Sequence, residues 1–267
     1  MPDLTRPIRS WLFAPGHDRK LLAKVFAVGA DVALLDLEDA VPPERKAQAR
    51  QMVAEVAASN PCWVRVNRPG TEECALDLDA LRGLVAGFRL PKVEAASDVQ
   101  WAAERAPGVA LDCTIESARG VANVQEIASS PACALLSYGG IDLAVDLRIT
   151  GGEQELLYAR SAIVIAARAA GKPPPSDGIH PRLNDEEGLR IESHAARRLG
   201  FFGKSAIHPR QVPIINSVFT TSPAELAWAD RVLAAFEASG GGPTKLEDGE
   251  FVDRPVAERA RQIRGLI

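Results

Sequence analysis

The sequence predicts an α/β fold, and three observations lead to this prediction. Short apolar runs alternate with longer segments that carry apolar residues at helical spacing. The short runs number eight, and several are apolar almost throughout, as is typical of strands covered by helices on both faces. A length of 267 residues is typical of one barrel of parallel strands. Together these observations predict a TIM (β/α)8 barrel followed by an extra C-terminal helical segment.

The predicted elements follow one another along the chain with recognisable ends. Gly29, Gly171 and Gly200 stand where three helical patterns stop, and Asn184 with Asp185 opens another helix. The seventh predicted strand is the weakest, because it lies in a proline-rich stretch. The predicted strands are residues 10–14, 32–37, 62–66, 87–90, 110–115, 133–137, 176–179 and 203–207. The predicted helices are residues 20–29, 43–58, 76–85, 97–105, 117–128, 153–170, 185–199, 211–218 and 223–238.

The domain organisation follows from this order of elements. Residues 1–238 are expected to form the barrel with its following helices, and the sequence SGGGP then reads as a linker. Residues 239–267 are not needed to complete a barrel, so they are free to pack on a neighbouring subunit. An open doubly wound sheet is the competing architecture, but the turn after the first strand lacks its GxGxxG fingerprint.

Composition and charge narrow the class of protein. The chain is 46% hydrophobic and 25% charged with a formal net charge of −4, which gives no reason to expect a nucleic acid or an anionic membrane as partner. No apolar run approaches the roughly 18–20 residues that span a bilayer, and the first residues, MPDLTRP, lack the apolar stretch of a signal peptide. The four cysteines show no CxxC spacing. A soluble, cytoplasmic enzyme with buried free thiols is expected.

Glu116 and Asp142 each stand where a strand-like run gives way to a turn that contains glycine. Their separation is about one strand, one helix and two loops, which places both carboxylates on one rim of a parallel sheet, on strands roughly 4.8 Å apart. Two oxygen ligands without histidine or cysteine describe a partial magnesium site. The alternative is structural: each acid caps the following helix or pairs with a nearby arginine such as Arg119.

Further charged residues follow the second and third predicted strands. Asp36, Glu38 and Asp39 form an acidic cluster whose individual roles the spacing does not divide. Arg65 lies in an alternating run that directs it into the barrel mouth, where a guanidinium suits a carboxylate or a developing alkoxide. A structural salt bridge to Asp36 or Glu38 is the equally weighted alternative.

Other candidates carry weaker signals. Lys92 and Glu94 follow the fourth predicted strand, where they could support the residues that bind metal and substrate, but an exposed ion pair is the simpler interpretation. Asp253 precedes Arg254 and Pro255, and proline suits the first position of a helix, so residue properties alone assign Asp253 to a helix N-terminus. A GxSxG element for acyl transfer is absent from the sequence.

An ordered set of short motifs resembles the citrate lyase β-subunit-like proteins of the HpcH/HpaI aldolase/citrate lyase family, which also includes malyl-CoA and citramalyl-CoA lyases. Each motif alone is weakly specific, but the set runs in order through nearly the whole chain. The motifs are RSWLFAPG at 9–16, LDLEDAVP at 35–42, VRVN at 64–67, LPKVE at 90–94, IESARGV at 115–121, GGIDL at 139–143, GKSAIHP at 203–209 and VDRP at 252–255.

The resemblance implies a set of site residues. It implies a TIM barrel in which Mg²⁺ is held by Glu116 and Asp142 while Arg65 contacts the keto or hydroxy oxygen of the substrate. It also implies that Asp253 reaches a neighbouring subunit as acid or base, in a homotrimer or hexamer, which reverses the interpretation from residue properties. Glu38 and Asp39 are further catalytic candidates. The remaining implied contacts are to substrate, from Gly139, Gly140 and Ile141, and weakly to CoA phosphates, from Arg9, Arg19 and Lys20.

The implied reaction is reversible carbon–carbon cleavage of a 3-hydroxyacyl thioester such as citryl-CoA, malyl-CoA or citramalyl-CoA. Its products are a 2-oxo acid (oxaloacetate, glyoxylate or pyruvate) and an acyl-CoA. Some members of the family work with an acyl carrier inside a lyase complex, so such a partner stays open. The alternatives are a class II pyruvate aldolase acting on free hydroxy-keto acids and a non-catalytic barrel that serves as subunit or regulator.

Overall fold

The computed structural model describes residues 8–150, 152 and 154–265. The N-terminal stretch used above to argue against a signal peptide and Glu153, the predicted start of one helix, lie outside these residues. The chain forms two compact units, Met1–Phe219 and Thr220–Ile267. Within the described residues, no helix combines the length and apolar character that crossing a membrane requires.

The first unit is an α/β fold around one curled sheet of seven parallel strands, which makes a half-barrel. The strands lie in the order β6-β5-β4-β3-β2-β1-β7, so neighbours in sequence are mostly neighbours in the sheet. All seven lie where the apolar runs predict strands, with ends shifted by no more than a residue or so. The strands are β1 Ser10–Pro15, β2 Val32–Asp36, β3 Trp63–Arg65, β4 Gly87–Leu90, β5 Ala110–Ile115, β6 Cys133–Tyr138 and β7 Lys204–Ala206.

The predicted strand at 176–179 is reduced to two single bridges. Ser176 pairs with Ser137 of β6, and Asp177 pairs with Lys204 of β7, both in parallel orientation. The Asp177 carboxylate also accepts hydrogen bonds from Lys204 Nζ at 2.6 Å and from Arg160 Nη2 at 3.1 Å. Ion pairs therefore fix this segment where the proline-rich sequence forms no regular strand.

Helices follow most strands, as the spacing predicts. The sequence did not predict the helix Gly140–Asp146, since its start reads as a glycine turn, and the helix expected from 153 begins at Leu157. Two 3₁₀ turns, Val25–Ala27 and Pro43–Arg45, adjoin the first two helices. The helices are α1 Arg19–Lys24, α2 Lys46–Ala57, α3 Glu72–Leu81, α4 Ala96–Arg105, α5 Ala118–Ala122, α6 Val124–Ser129, α7 Gly140–Asp146, α8 Leu157–Ala169, α9 Glu186–Leu199 and α10 Gln211–Phe219.

The inward-facing side chains of the sheet form two layers. Near the start of the strands, Trp11, Leu34, Trp63 and Leu135 form an apolar cluster in which the two indole rings meet edge to face, 5.2 Å apart. Two residues further along, the same faces of four neighbouring strands carry charge, because side chains of a strand alternate between faces. The register aligns Asp36 with Arg65, Arg65 with Arg89, and Arg89 with Asp112.

The second unit begins earlier in the chain than the predicted boundary at residue 238. It contains α11 Pro223–Ala238, the short strands β8 Thr244–Lys245 and β9 Phe251–Val252, and α12 Arg254–Gly265. Apolar residues of α11, including Val232 and Phe236, pack with Val252 and with Ala257 and Ala260 of α12. Because α11 buries its apolar face against the C-terminal hairpin and helix, it belongs to this unit. The expectation that the C-terminal segment packs on a neighbouring subunit stays a prediction.

The four cysteines, Cys62, Cys74, Cys113 and Cys133, are buried and form no disulfide. Burial raises the pKa of the Cys62 thiol to about 12, so this side chain stays a neutral, unreactive part of the core. The expectation of buried free thiols is confirmed.

Gly87 supplies a test of the apolar layer. A Cβ atom at this position would lie 2.5 Å from the Trp63 ring, so we expect Gly87→Ala to lower the free energy of unfolding by about 1–3 kcal/mol through overpacking. Urea titration measures the change. Gly83→Ala is the matched control, because its Cβ would meet nothing within 4 Å, and it should change stability by no more than about 0.5 kcal/mol. Equal effects of the two substitutions would contradict this packing argument.

Candidate active site

A cavity of about 440 Å³ opens at the carboxyl ends of the strands. Active sites of parallel α/β barrels lie at this end, because each strand delivers its last side chains and its loop there. The cavity combines apolar walls with convergent charged and hydroxyl groups, a combination typical of small-molecule sites. Its lining includes Phe13, Asp36, Asp39, Arg65, Arg89, Thr114, Glu116, Ser137, Gly139, Gly140, Ile141, Asp142, Gly178, Ser205 and Ile207.

Two guanidinium groups stand side by side in the charged layer beneath the cavity. Arg65 and Arg89 occupy paired positions on β3 and β4, where like charges would repel each other. Each is neutralised by the acid on its other side: Arg65 by Asp36, and Arg89 by Asp112 with Nε to Oδ2 at 2.7 Å. The two negative and two positive side chains of these four strands therefore cancel in charge. Both guanidiniums also lie near the Phe13 ring, at 4.8 and 5.9 Å from its centroid.

Arg65 is held rigidly by its bond to Asp36. Its Nε and Nη2 donate to the two carboxylate oxygens of Asp36, each at 2.7 Å, and its Nη1 lies 3.0 Å from Glu38 Oε2. Burial disfavours the charged form of Asp36, but the Arg65 guanidinium outweighs it and holds the pKa of this carboxyl below its ordinary value. The salt bridges that the sequence left open as an alternative are thus present. They also aim a fixed fork of donors at the cavity that Arg65 lines.

Glu38 is buried between two cations. Arg65 approaches its Oε2, and Lys92 Nζ donates to its Oε1. The same ammonium lies 3.4 Å from both carboxylate oxygens of Asp39, which is exposed. Burial raises the pKa of Glu38 above its ordinary value in spite of these partners. The three acids therefore have different partners: Asp36 orients Arg65, while Glu38 and Asp39 face Lys92.

Glu116 is a buried carboxylate in an environment that disfavours its charge. Its Oε1 accepts a hydrogen bond from the backbone N–H of Lys92 at 2.7 Å. Burial, and then the charges of Glu38 and Asp142, raise the pKa of Glu116 to about 8 from an ordinary 4.5. Asp142, half-buried in the first turn of α7, is thus close enough to repel it. Both residues line the same cavity.

Glycines make room for the Glu116 carboxylate. A Cβ atom on Gly139 would lie 2.2 Å from Glu116 Oε2, so any larger residue there would displace the carboxylate. The next residue, Gly140, abuts the Tyr138 ring in the same way, at 2.8 Å. The two glycines before Asp142 are therefore required by packing, and together with Ile141 they line the cavity.

The donor set fits a hard divalent cation. Five carboxylates meet near the cavity rim, on Asp36, Glu38, Asp39, Glu116 and Asp142, against two nearby cations that contact them. Three of these acids, Asp36, Glu38 and Glu116, are buried, and such an excess of negative charge calls for a further positive charge. Among the described residues, no three His, Cys, Asp or Glu side chains converge into a closed metal cage. Two carboxylates with open positions left for water and substrate are the arrangement that Mg²⁺ favours.

The other predicted site residues lie elsewhere. Arg9 stands before β1, at the opposite end of the strand from the cavity, and its guanidinium and backbone bind Asp31 at 2.7–2.9 Å. Arg19 and Lys20 are exposed at the start of α1, on the cavity side, where Arg19 pairs with Glu55 at 3.1 Å. Asp253 lies in the second unit, where its Oδ1 accepts from the backbone N–H of Val256 at 3.2 Å at the start of α12.

The sequence did not identify Arg89 and Lys92 as residues of the site. Arg89 was not singled out, although its position one residue before the end of an otherwise apolar strand signals an inward charge. Lys92 was interpreted as part of an exposed ion pair with Glu94, whereas Glu94 pairs with Arg68 at 3.1 Å. The contact of Lys92 with Glu38 joins residues 54 positions apart, and no local pattern reveals it.

Comparison with known proteins agrees with this geometry. Residues 9–209 match the family model of the HpcH/HpaI aldolase/citrate lyase proteins. Two relatives from Cereibacter sphaeroides are similar over nearly the whole chain. A (3S)-malyl-CoA thioesterase is 35% identical over 98% of this chain and 95% of its own length. An L-malyl-CoA/beta-methylmalyl-CoA lyase is 38% identical over the same shares of the two chains.

Among solved structures, the chain is similar to the protein CitE from Mycobacterium tuberculosis in complex with magnesium, acetoacetate and coenzyme A. The two are 34% identical and superpose with a TM-score of 0.85 over 98% of each chain.

The raised pKa of Glu116 predicts how stability depends on pH when no metal is bound. The carboxyl binds its proton more tightly in the folded protein, with a pKa of about 8, than in the unfolded chain, where 4.5 is ordinary. Its protonation therefore stabilises the fold below about pH 4.5, and this contribution is lost as pH rises towards 8, by at most about 1.4 kcal/mol per pH unit. Urea titration in EDTA should show the decline in the native protein and a shallower one in Glu116→Gln. A difference between the two proteins that does not vary with pH would contradict the assignment.

Proposed function

The chain belongs to the HpcH/HpaI aldolase/citrate lyase family, and from that premise we propose that it is a Mg²⁺-dependent carbon–carbon lyase. Its substrate is a 3-hydroxyacyl-CoA thioester of the citryl-, malyl- or citramalyl-CoA type. Reversible cleavage yields a 2-oxo acid and an acyl-CoA. The observation that carries the proposal is the meeting of Glu116, Asp142 and Arg65 around one cavity at the strand ends.

The cation belongs with Glu116 and Asp142. Mg²⁺, when bound, supplies a Lewis acid for the oxygen that changes from hydroxyl to carbonyl as the carbon–carbon bond breaks. The fit rests on the two mutually repelling carboxylates and on the absence of a third acidic ligand in the described part of the chain. The solved magnesium complex of CitE, with its 34% identity, supports the same choice of ion.

Arg65 stabilises negative charge at the reacting oxygen. A guanidinium has five N–H donors, and the two bonds to Asp36 engage one hydrogen on Nε and one on Nη2, while Nη1 forms an ion pair with Glu38 at 3.0 Å. The second hydrogen of Nη2 and those of Nη1 remain as donors for a substrate oxygen in the cavity. Because Asp36 fixes the guanidinium before substrate arrives, little reorganisation accompanies the reaction, which is the condition for effective electrostatic catalysis.

Asp253 is the proposed acid or base for the acyl carbon, and it acts across a subunit boundary. The family resemblance supports this role, and its place as the cap of α12 gives its carboxylate a fixed direction. Gly139, Gly140 and Ile141 form the wall of the 2-oxo acid pocket beside Asp142. Arg19 and Lys20 remain candidates for the CoA phosphates. The bond between Arg9 and Asp31, at the far end of β1, argues against the same role for Arg9.

We infer that the half-barrel is part of a complete (β/α)8 barrel. Residues 176 and 177 take the place of its eighth strand, since their bridges reach β6 on one side and β7 on the other. A homo-oligomer, trimer or hexamer, in the cytoplasm is the proposed setting, because an Asp253 that acts between subunits requires one. A carrier-protein or lyase-complex partner stays open.

A panel of substrates tests the reaction. With Mg²⁺, we expect 2-oxo acid formation from at least one of malyl-CoA, citramalyl-CoA and citryl-CoA, and its loss after exhaustive EDTA treatment. Glu116→Gln should lower kcat by about 10²–10⁴-fold. Cleavage of free hydroxy-keto acids instead would favour the class II aldolase. Release of free CoA thiol without any 2-oxo acid would favour a thioesterase, as one relative is named. No turnover on the whole panel would favour a non-catalytic subunit.

Asp253 has its own test. Asp253→Asn preserves side-chain size and the hydrogen bond that caps α12, so the protein should fold, while turnover should fall by about 10²–10⁴-fold. Asp248→Asn, an exposed residue of the same segment, is the matched control and should keep full turnover. Mixing Asp253→Asn with Glu116→Gln protein should restore part of the activity if each site combines two subunits. Full activity of Asp253→Asn would remove this residue from the mechanism.

A further inference from the structure

Lys92 adopts a backbone conformation that is unusual for its residue type. Its φ is +52°, in the left-handed region, and Arg148 is the only other non-glycine residue with positive φ in the described ranges. The conformation bends the chain at the end of β4. It directs the Lys92 N–H to Glu116 Oε1 at 2.7 Å, and the next N–H, of Val93, to the carbonyl oxygen of Thr114 at 3.3 Å. Backbone strain of this kind persists where the surroundings require it, often at functional sites.

The side chain of Lys92 faces a different pair of acids. Its Nζ donates to Glu38 Oε1 and lies 3.4 Å from both oxygens of Asp39. The second oxygen of Glu38 is 3.0 Å from Arg65 Nη1. One residue therefore fixes Glu116 through its backbone and, through its ammonium group, occupies the two other acids that follow β2.

This arrangement determines which carboxylates can reach a cation held by Glu116 and Asp142. A divalent cation between Glu116 and Asp142 attracts every nearby acid, and any acid that reaches it occupies a position that substrate needs. Glu38 is buried and bound to the side chain of Lys92, whose backbone N–H binds Glu116, so it is a competitor for the cation. A fixed ammonium that is already bound to Glu38 and Asp39 removes both from the competition.

We propose that Lys92 is a positioning residue that keeps Glu38 and Asp39 away from the cation of Glu116 and Asp142, and so preserves room and favourable charge for an anionic 2-oxo acid. This inference rests on the proposed function, since it assumes the cation and the acid. It predicts opposite effects on two ligands. Loss of the ammonium leaves cation binding intact or tighter and weakens binding of the anion.

The experiment uses full-length protein and four variants. Lys92→Met removes the charge and keeps the length of the side chain, while Lys92→Arg keeps the charge. Lys92→Gly removes the side chain but accepts φ of +52° without strain, so it tests the same loss if the methionine variant folds poorly. Arg68→Met is the charge-matched control, because Arg68 is an exposed cation near the rim that pairs with Glu94.

Two binding measurements read the outcome. Electron paramagnetic resonance titration gives the affinity for Mn²⁺ alone, and calorimetry gives the affinity for pyruvate at saturating Mg²⁺. For Lys92→Met and Lys92→Gly we expect Mn²⁺ to bind at least as tightly as to native protein and pyruvate to bind at least about tenfold more weakly. Lys92→Arg should keep pyruvate affinity within about threefold of native, and Arg68→Met within about twofold.

Three outcomes would overturn the inference. Unchanged pyruvate affinity in Lys92→Met and Lys92→Gly would mean that the ammonium only joins two loops. A parallel loss of Mn²⁺ and pyruvate would mean that Lys92 builds the cation site itself rather than guarding it. Native protein that binds neither ligand would overturn the proposed function and this inference with it, whereas native binding with unaffected variants overturns the inference alone.

Discussion

Arg65 and Asp36 form the ion pair on which the geometry of the site depends. Two hydrogen bonds of 2.7 Å lock the guanidinium to a carboxylate that is almost wholly buried, and the third nitrogen reaches Glu38. Without Asp36, a buried guanidinium next to Arg89 would face a like charge; without Arg65, Asp36 would be an uncompensated buried anion. The pair therefore stabilises the charged layer of the sheet and points spare donors into the cavity at the same time.

Backbone conformation as well as side-chain chemistry positions Glu116 in this cavity. The Glu116 carboxylate accepts a hydrogen bond from the backbone N–H of Lys92, whose φ lies in the left-handed region. On its other side it occupies space that is open only because Gly139 has no side chain. Both devices come from loops at the carboxyl ends of the strands, so the regular sheet supplies a rigid frame and the loops supply the fine positioning. In parallel α/β barrels generally, this division lets one frame carry different chemistries.

The sequence predicted most of the sheet because buried parallel strands leave a clear signature of short apolar runs. Glu116 and Asp142 were predictable together because the strand–helix repeat fixes which rim they share. The sequence was less informative where contacts between residues distant in sequence determine the structure. Asp177 is held by ion pairs to Lys204 and Arg160 instead of strand propensity, and α11 joins the second unit through apolar contacts beyond its own segment. The conformation of Lys92 was hidden because lysine has no preference for positive φ.

The lack of space at Gly139 limits what the chain can carry at that position, whichever acid stands at 116. A Cβ atom at 139 would lie 2.2 Å from Glu116 Oε2 and 2.5 Å from Glu116 Cβ. Because the second contact is with a Cβ atom that aspartate also has, shortening the acid would not make room for alanine. We therefore expect relatives to retain glycine at 139 with either glutamate or aspartate at 116.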